Sequence, residues 1–199
     1  MTDFFALLDE PRRPWLDADS LKQKFLARSG EVHPDRVHSA EAATKLQAQQ
    51  RYTELNAAYL GLREPRDRLR HLLELELGRK PADLQEMPAE LADLFMEIAG
   101  VYRGADGFLA KYSSITSPLL RAQSFAEVQD WTERLTGWQQ NIAARREKLL
   151  ARVQAIDGVW VDVASRSNLL AELETICRWL GFYFRWNGQI QERLLRLML

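Results

Sequence analysis

From residue 169 to the end of the chain the apolar positions follow one rule. Leu169, Leu173, Ile176, Leu180, Tyr183, Asn187, Ile190, Leu194 and Leu197 are separated by alternating steps of four and three. Such a stripe lies along one face of a helix and cannot be built as a strand, whose side chains alternate faces every second residue. A seam this regular needs a partner helix. Short connections favour an antiparallel bundle of about three helices within the chain, and a homodimeric coiled coil is the competing use of the same stripe. Asn187, the polar member, is placed to set helix register or to pair across the bundle.

The rest of the chain repeats the helical period, so the predicted fold class is all-α. Thr2 is placed to cap a short helix, "DFFALLD", which must stop before Pro11 and Pro14, because proline lacks a donor and restricts the residue before it. A second helix starts at Asp17. Its end, near Arg28 and Gly30, is expected to be short or frayed, since glycine costs roughly 1 kcal/mol there relative to alanine. Ser39 is placed to cap a third helix, in which Tyr52, Leu55, Tyr59 and Leu62 form a stripe ending at Glu64. Pro65 suits the first turn of a fourth, closed by Gly78. Residues 78–88, "GRKPADLQEMP", read as a linker. Beyond it, Leu91, Leu94, Phe95 and Ile98 open longer helices, with breaks predicted around Gly100, Gly104 and Gly107. Ser124 and Glu127 have the spacing of a capping box. They open a long helix with a seam of Val128, Trp131, Leu135, Trp138, Ile142, Leu149 and Ile156. The predicted division is 1–77, linker 78–88, and a helical bundle over 89–199.

Charge narrows the partners. Among 199 residues, 27 Lys+Arg against 28 Asp+Glu leave a formal net charge of -1, with no basic block to follow toward nucleic acid or an anionic membrane. No apolar run approaches the ~20 residues needed to span a bilayer, and the first residues lack a signal-peptide pattern, so a cytoplasmic protein is expected. One cysteine, Cys177, excludes a disulfide framework or a multi-thiolate metal site within one chain and reads as a small buried hydrophobe. Three histidines, His33, His38 and His71, lack the i, i+4 spacing of a helical metal pair. No cofactor, metal or catalytic residue is assigned.

The segment "SGEVHPDRVHSAE", residues 29–41, places His33, Pro34, Asp35 and Arg36 between the second and third helices. By residue type it could be a plain turn, a histidine–carboxylate pair or a docking loop. Its surroundings resemble a J-domain, in which a short first helix packs on an antiparallel pair joined by His-Pro-Asp. "DFFALLD", "LKQKFLARSGEV", "HPDR" and "AATKLQAQQRYTELNAAYLGLREP" match its parts in order. "LNAAYLGLREPRDRLRHLLELELG", 55–78, further resembles the HscB iron-sulfur co-chaperones, which carry a helical bundle after a short linker.

The resemblance implies that His33, Pro34, Asp35 and Arg36, with the basic face of Lys22, Lys24 and Arg28, contact a DnaK/HscA-type heat-shock ATPase and stimulate its hydrolysis. Such a role needs directional polar contacts on a preorganised loop, not a catalytic base. Ala27 and Glu31 stand where the family is often basic. The resemblance also implies that an apolar patch of the bundle holds an iron-sulfur scaffold protein. "LFMEI", 94–98, and "RWL", 178–180, are similar to the family's client motifs, which singles out Phe95, Met96 and Trp179. Mutual proximity and exposure of the three would favour the scaffold client; burial of all three would count against it. The stretch "GVYRGADGFLAKYSSITSPLL", 100–120, looks like an addition to the family pattern. The expected state is a monomer or weak homodimer. A J-protein with another client, or a helical adaptor outside the family, are the alternatives.

Overall fold

The computed structural model describes residues 2–33, 36, 41–81, 87–160 and 166–198. The elements among them are all helices: α1 (Phe4–Leu7), α2 (Ala18–Glu31), α3 (Ala42–Arg63), α4 (Pro65–Leu77), α5 (Ala89–Ser113), α6 (Pro118–Gln123), α7 (Phe125–Gly158) and α8 (Arg166–Leu197). Packing groups them into two compact units, Met1–Ala82 with Leu150–Cys177, and Asp83–Leu149 with Arg178–Leu199. The grouping is not contiguous in sequence: its divisions fall within α7 and α8.

In the first unit α3 packs against α1, α2 and α4. The cap of α1 is Asp3 rather than Thr2: its Oδ1 accepts from the backbone N–H of Phe5 (3.0 Å) and Ala6 (3.2 Å). A carboxylate here can also bond Arg12, whose Nε donates to Oδ2 at 2.9 Å. Burial works to raise the Asp3 pKa, but Arg12 and the two amides outweigh it and hold the pKa below the ordinary value. Phe5 and Leu8 are fully buried. Phe4 stacks on His71 at 4.3 Å and donates its backbone N–H to His71 Nε2 at 3.0 Å. A Cβ on Gly61 would lie 2.9 Å from the Phe4 ring, so glycine is what lets α1 approach α3.

The α2 helix starts as expected, with Asp17 accepting from the Ser20 N–H at 2.8 Å. It is not shortened: it runs through Gly30 to Glu31, where the stacking of Phe25 on Tyr59 (4.4 Å) and burial of Leu21, Leu55 and Leu62 outweigh a propensity cost of about 1 kcal/mol. The first residue of α3 is Ala42, with Glu41 as N-cap in place of Ser39, which lies outside the described residues. Pro65 opens α4, and Gly78, in the left-handed region at φ 65°, ends it.

Among the described residues, four polar side chains are buried in this unit, Ser29, Arg68, His71 and Asp157. Arg68, 3% exposed, donates to the carbonyls of Pro14 (2.9 Å) and Leu62 (3.0 Å), and its guanidinium lies 5.5 Å from the Trp15 ring. Burial brings its pKa down to about 10. Asp157, near the end of α7, accepts from both Arg13 Nε (2.8 Å) and the Trp15 backbone N–H (3.1 Å). Trp160 donates its indole N–H to the Arg12 carbonyl at 2.9 Å. The segment from Arg12 to Trp15 is thereby fixed to α4 and to the end of α7. Cys177 is buried with its Sγ 3.6 Å from the Arg66 carbonyl oxygen, and burial pushes its thiol up to about 11.

The second unit is built on one core, including Leu91, Leu94, Ile98, Ala105 and Leu109 of α5, Leu135 and Ile142 of α7, and Phe182, Tyr183, Trp186 and Ile190 of α8. The α8 stripe is spent on contacts within the chain. The predicted breaks at Gly100, Gly104 and Gly107 do not occur: α5 is one helix of 25 residues. A Cβ on Gly104 would sit 2.5 Å from Trp131 Cη2, so this glycine admits the indole of α7 rather than ending the helix. Tyr102 donates its hydroxyl to the Trp186 carbonyl at 2.8 Å under the Arg193 guanidinium, which is held by Asp106 at 2.6 Å. Burial raises the Tyr102 hydroxyl to about 12. Ser124 does not form the capping box: it closes α6, its hydroxyl donating to the Leu120 carbonyl at 3.1 Å.

Candidate functional site

The docking-loop residues begin where α2 stops. Val32 caps α2, and His33 follows, its ring edge-on to Tyr52 of α3 with centroids 5.5 Å apart and planes at 90°. The Arg36 backbone N–H donates to the His33 carbonyl at 2.9 Å, a turn that holds the two together while Arg36 stays exposed. Pro34 and Asp35 lie outside the described residues. An aromatic edge contact of this kind contributes about 0.5–1.5 kcal/mol beyond area burial, enough to orient a half-buried imidazole.

The basic residues of α2 divide into two sets. Lys24 Nζ lies 3.1 Å from Glu10 and donates to the Asp9 carbonyl at 2.9 Å, while Arg28 lies 3.4 Å from the Asp9 carboxylate. Both are turned toward the end of α1. Lys22 is on the outward side with Gln23, Leu26 and Ala27, all exposed, and Leu26 is 55% exposed. The outward surface is therefore one cation beside an apolar side chain, extended by Arg36. Position along the helix alone groups these cations; their acidic partners, Asp9 and Glu10, stand just after a helix that folds back on α2.

In the second unit Phe95 and Met96 are exposed on α5, at 40% and 62%. The ring partner of Phe95 is Trp186, at 6.4 Å. Trp179 is half-buried against the same core and lines a cavity with α7 residues. Trp179 and Trp186 are seven residues apart, so they share one face of α8 about two turns apart; that spacing is the signal by which Trp186 was readable. Phe95 and Met96 are thus consecutive and exposed on α5, while Trp179 is half-buried on α8, so the three are neither all exposed nor all buried. Among the described residues no set of three or more His, Cys, Asp or Glu is grouped to hold a metal ion, and no helix is long and apolar enough to cross a membrane.

No family model matches the chain. The co-chaperone protein HscB homolog of Chromobacterium violaceum is 35% identical over 96 residues, 48% of this chain and 55% of that protein, so the match spans about half the length of this relative. Among solved structures, chaperone HscB from Vibrio cholerae is 20% identical over 96% of each chain with a TM-score of 0.62. Human co-chaperone HscB is 17% identical over 96% of this chain and 81% of its own, with a TM-score of 0.63. The chain is HscB-like in sequence, and its all-α fold is that of HscB, an N-terminal J-domain followed by a C-terminal helical bundle.

Proposed function

We propose that this HscB-like chain is a J-domain co-chaperone, with residues 1–77 as the J-domain, 78–88 as linker and 89–199 as the client-binding bundle. It stimulates the ATPase of a DnaK/HscA-type heat-shock chaperone and is not itself an enzyme. The observation that carries this reading is the His-Pro-Asp-Arg sequence at the turn of the α2–α3 pair, with His33 seated on Tyr52. His33, Pro34, Asp35 and Arg36 contact the chaperone, and Lys22 supplies steering charge; Lys24 and Arg28 contribute once released from Glu10 and Asp9. A loop of this kind acts by favouring one conformational state of its partner, which requires contacts made only in that state.

The client is an iron-sulfur scaffold protein held on Phe95, Met96 and Trp179. Exposed large apolar side chains on an otherwise packed helix support an interaction surface there. The pairing of Phe95 with Trp186 favours a second reading, a J-protein whose patch fits another client. Burial of the α8 stripe inside the chain supports a monomer, and the place of action is the cytoplasm.

The test is the steady-state ATPase rate of a DnaK/HscA-type chaperone with wild-type protein and with His33→Gln, each with and without purified iron-sulfur scaffold. Stimulation lost in the variant and increased by scaffold is the expected result. Stimulation indifferent to scaffold overturns the client, and no stimulation under any condition overturns the co-chaperone reading.

A further inference from the structure

Between α7 and α8 a cavity of about 350 Å³ is lined by Asn141, Ala144, Arg145, Lys148, Leu149, Trp179 and Tyr183. Its α7 wall repeats at i, i+4 and i+7 or i+8, and its α8 wall at i and i+4, so both helices present one continuous face to it. The chemistry of the lining is one-sided. Arg145 and Lys148 carry positive charge, and no carboxylate lines the cavity. Arg145 Nε donates to Asn141 Oδ1 at 2.7 Å, so the amide oxygen is already used as an acceptor. Arg145 also hydrogen-bonds the Tyr183 side chain. Lys148 is exposed and has no ion pair among the described residues. The nearest acid along α7, Glu147, is engaged by Arg146 at 3.2 Å.

The remaining surface is apolar: Ala144, Leu149 and the rings of Trp179 and Tyr183. A concave site of this size with an apolar floor and a few convergent donors is the usual form of a small-molecule pocket. Cations without acids at its rim select the sign of the ligand, since an anion gains from both charges while a cation meets repulsion from each.

We infer that this cavity is a binding site for a small organic anion, a carboxylate carried on an aromatic or short aliphatic body, with Arg145 and Lys148 holding the carboxylate and Trp179 packing on the body. The site does not depend on the chaperone reading. Occupancy would bury Trp179, linking ligand binding to a side chain placed in the client patch.

The experiment is a titration of the full-length protein with 4-phenylbutyrate, followed by the indole N–H signals of the six tryptophans. Trp179→Phe identifies the Trp179 signal; its indole N–H is buried with no acceptor among the described residues and so reports on changes beside it. The expected result is a saturable shift of that signal, weakened about tenfold by Lys148→Glu and absent with 4-phenylbutanol, the neutral analogue. Lys148 is exposed, so its replacement leaves the fold in place. No movement of the Trp179 signal, a shift of equal size with the neutral analogue, or affinity unchanged in Lys148→Glu would each overturn the assignment.

Discussion

The Lys24 ammonium lies 3.1 Å from the Glu10 carboxylate, and the Glu10 side chain is only 7% exposed. The pair ties α2 to the end of α1 and removes one cation from the surface offered to a partner. Long-range attraction depends on net local charge, so steering by α2 rests mainly on Lys22 and Arg36. Lys22→Gln should lower the association rate with a DnaK-type chaperone about threefold at low salt, and Lys24→Gln by less than that. Glu10→Gln should raise the rate. Stopped-flow association at low and high ionic strength checks this; equal losses for Lys22 and Lys24 would refute the division of the basic face.

His71 gives the fold a pH dependence of known sign. Burial lowers its pKa below the ordinary 6.5, despite the opposing pull of Asp3 and Glu74. The unfolded chain therefore binds this proton at higher pH than the folded one. The contribution to stability is complete above pH 6.5 and is lost as pH falls through the lowered folded value. Protonation also removes the acceptor used by the Phe4 N–H. The urea midpoint should fall between about pH 7 and pH 5 in the wild type. In His71→Gln, which keeps an acceptor and does not titrate, that component of the slope should vanish. A slope identical in the two proteins would show that His71 is not its source.

The start of α2 and both limits of α4 were legible because they are written locally, in Asp17, Pro65 and Gly78, each of which acts on its own turn of backbone, whereas the end of α2 was not, because packing carries the helix through Gly30. The His-Pro-Asp-Arg motif is likewise read from contiguous residues, of which Pro34 and Asp35 lie outside the described ones. Arg68 and His71 were not, because what satisfies them comes from far along the chain: the Pro14 carbonyl for one, the Phe4 N–H for the other. Periodicity marks a position as buried and says nothing of such partners. The pairing of Lys24 and Arg28 with Glu10 and Asp9 escaped likewise, since it follows from the angle at which α1 returns to α2. The client candidates rest on a resemblance to family motifs, and the arrangement that brings Phe95 against Trp186 belongs to packing.

The continuity of α5 yields the last prediction. Glycine in a helix interior costs about 1 kcal/mol relative to alanine, which is why three of them read as breaks. At Gly107 an added Cβ meets nothing within 4 Å, so Gly107→Ala should stabilise the protein by up to about 1 kcal/mol. At Gly104 the same Cβ would lie 2.5 Å from Trp131 Cη2 and 3.2 Å from Cζ2. The indole is rigid and packed against the core, so it cannot yield without displacing its neighbours. Gly104→Ala should destabilise by about 1–3 kcal/mol, overcoming its gain in helix propensity. Trp131→Leu should relieve the clash, making the double variant more stable than the sum of its single changes. Denaturant unfolding of the four proteins measures this coupling, and a Gly104→Ala protein as stable as Gly107→Ala would show that the glycine does not serve to seat Trp131.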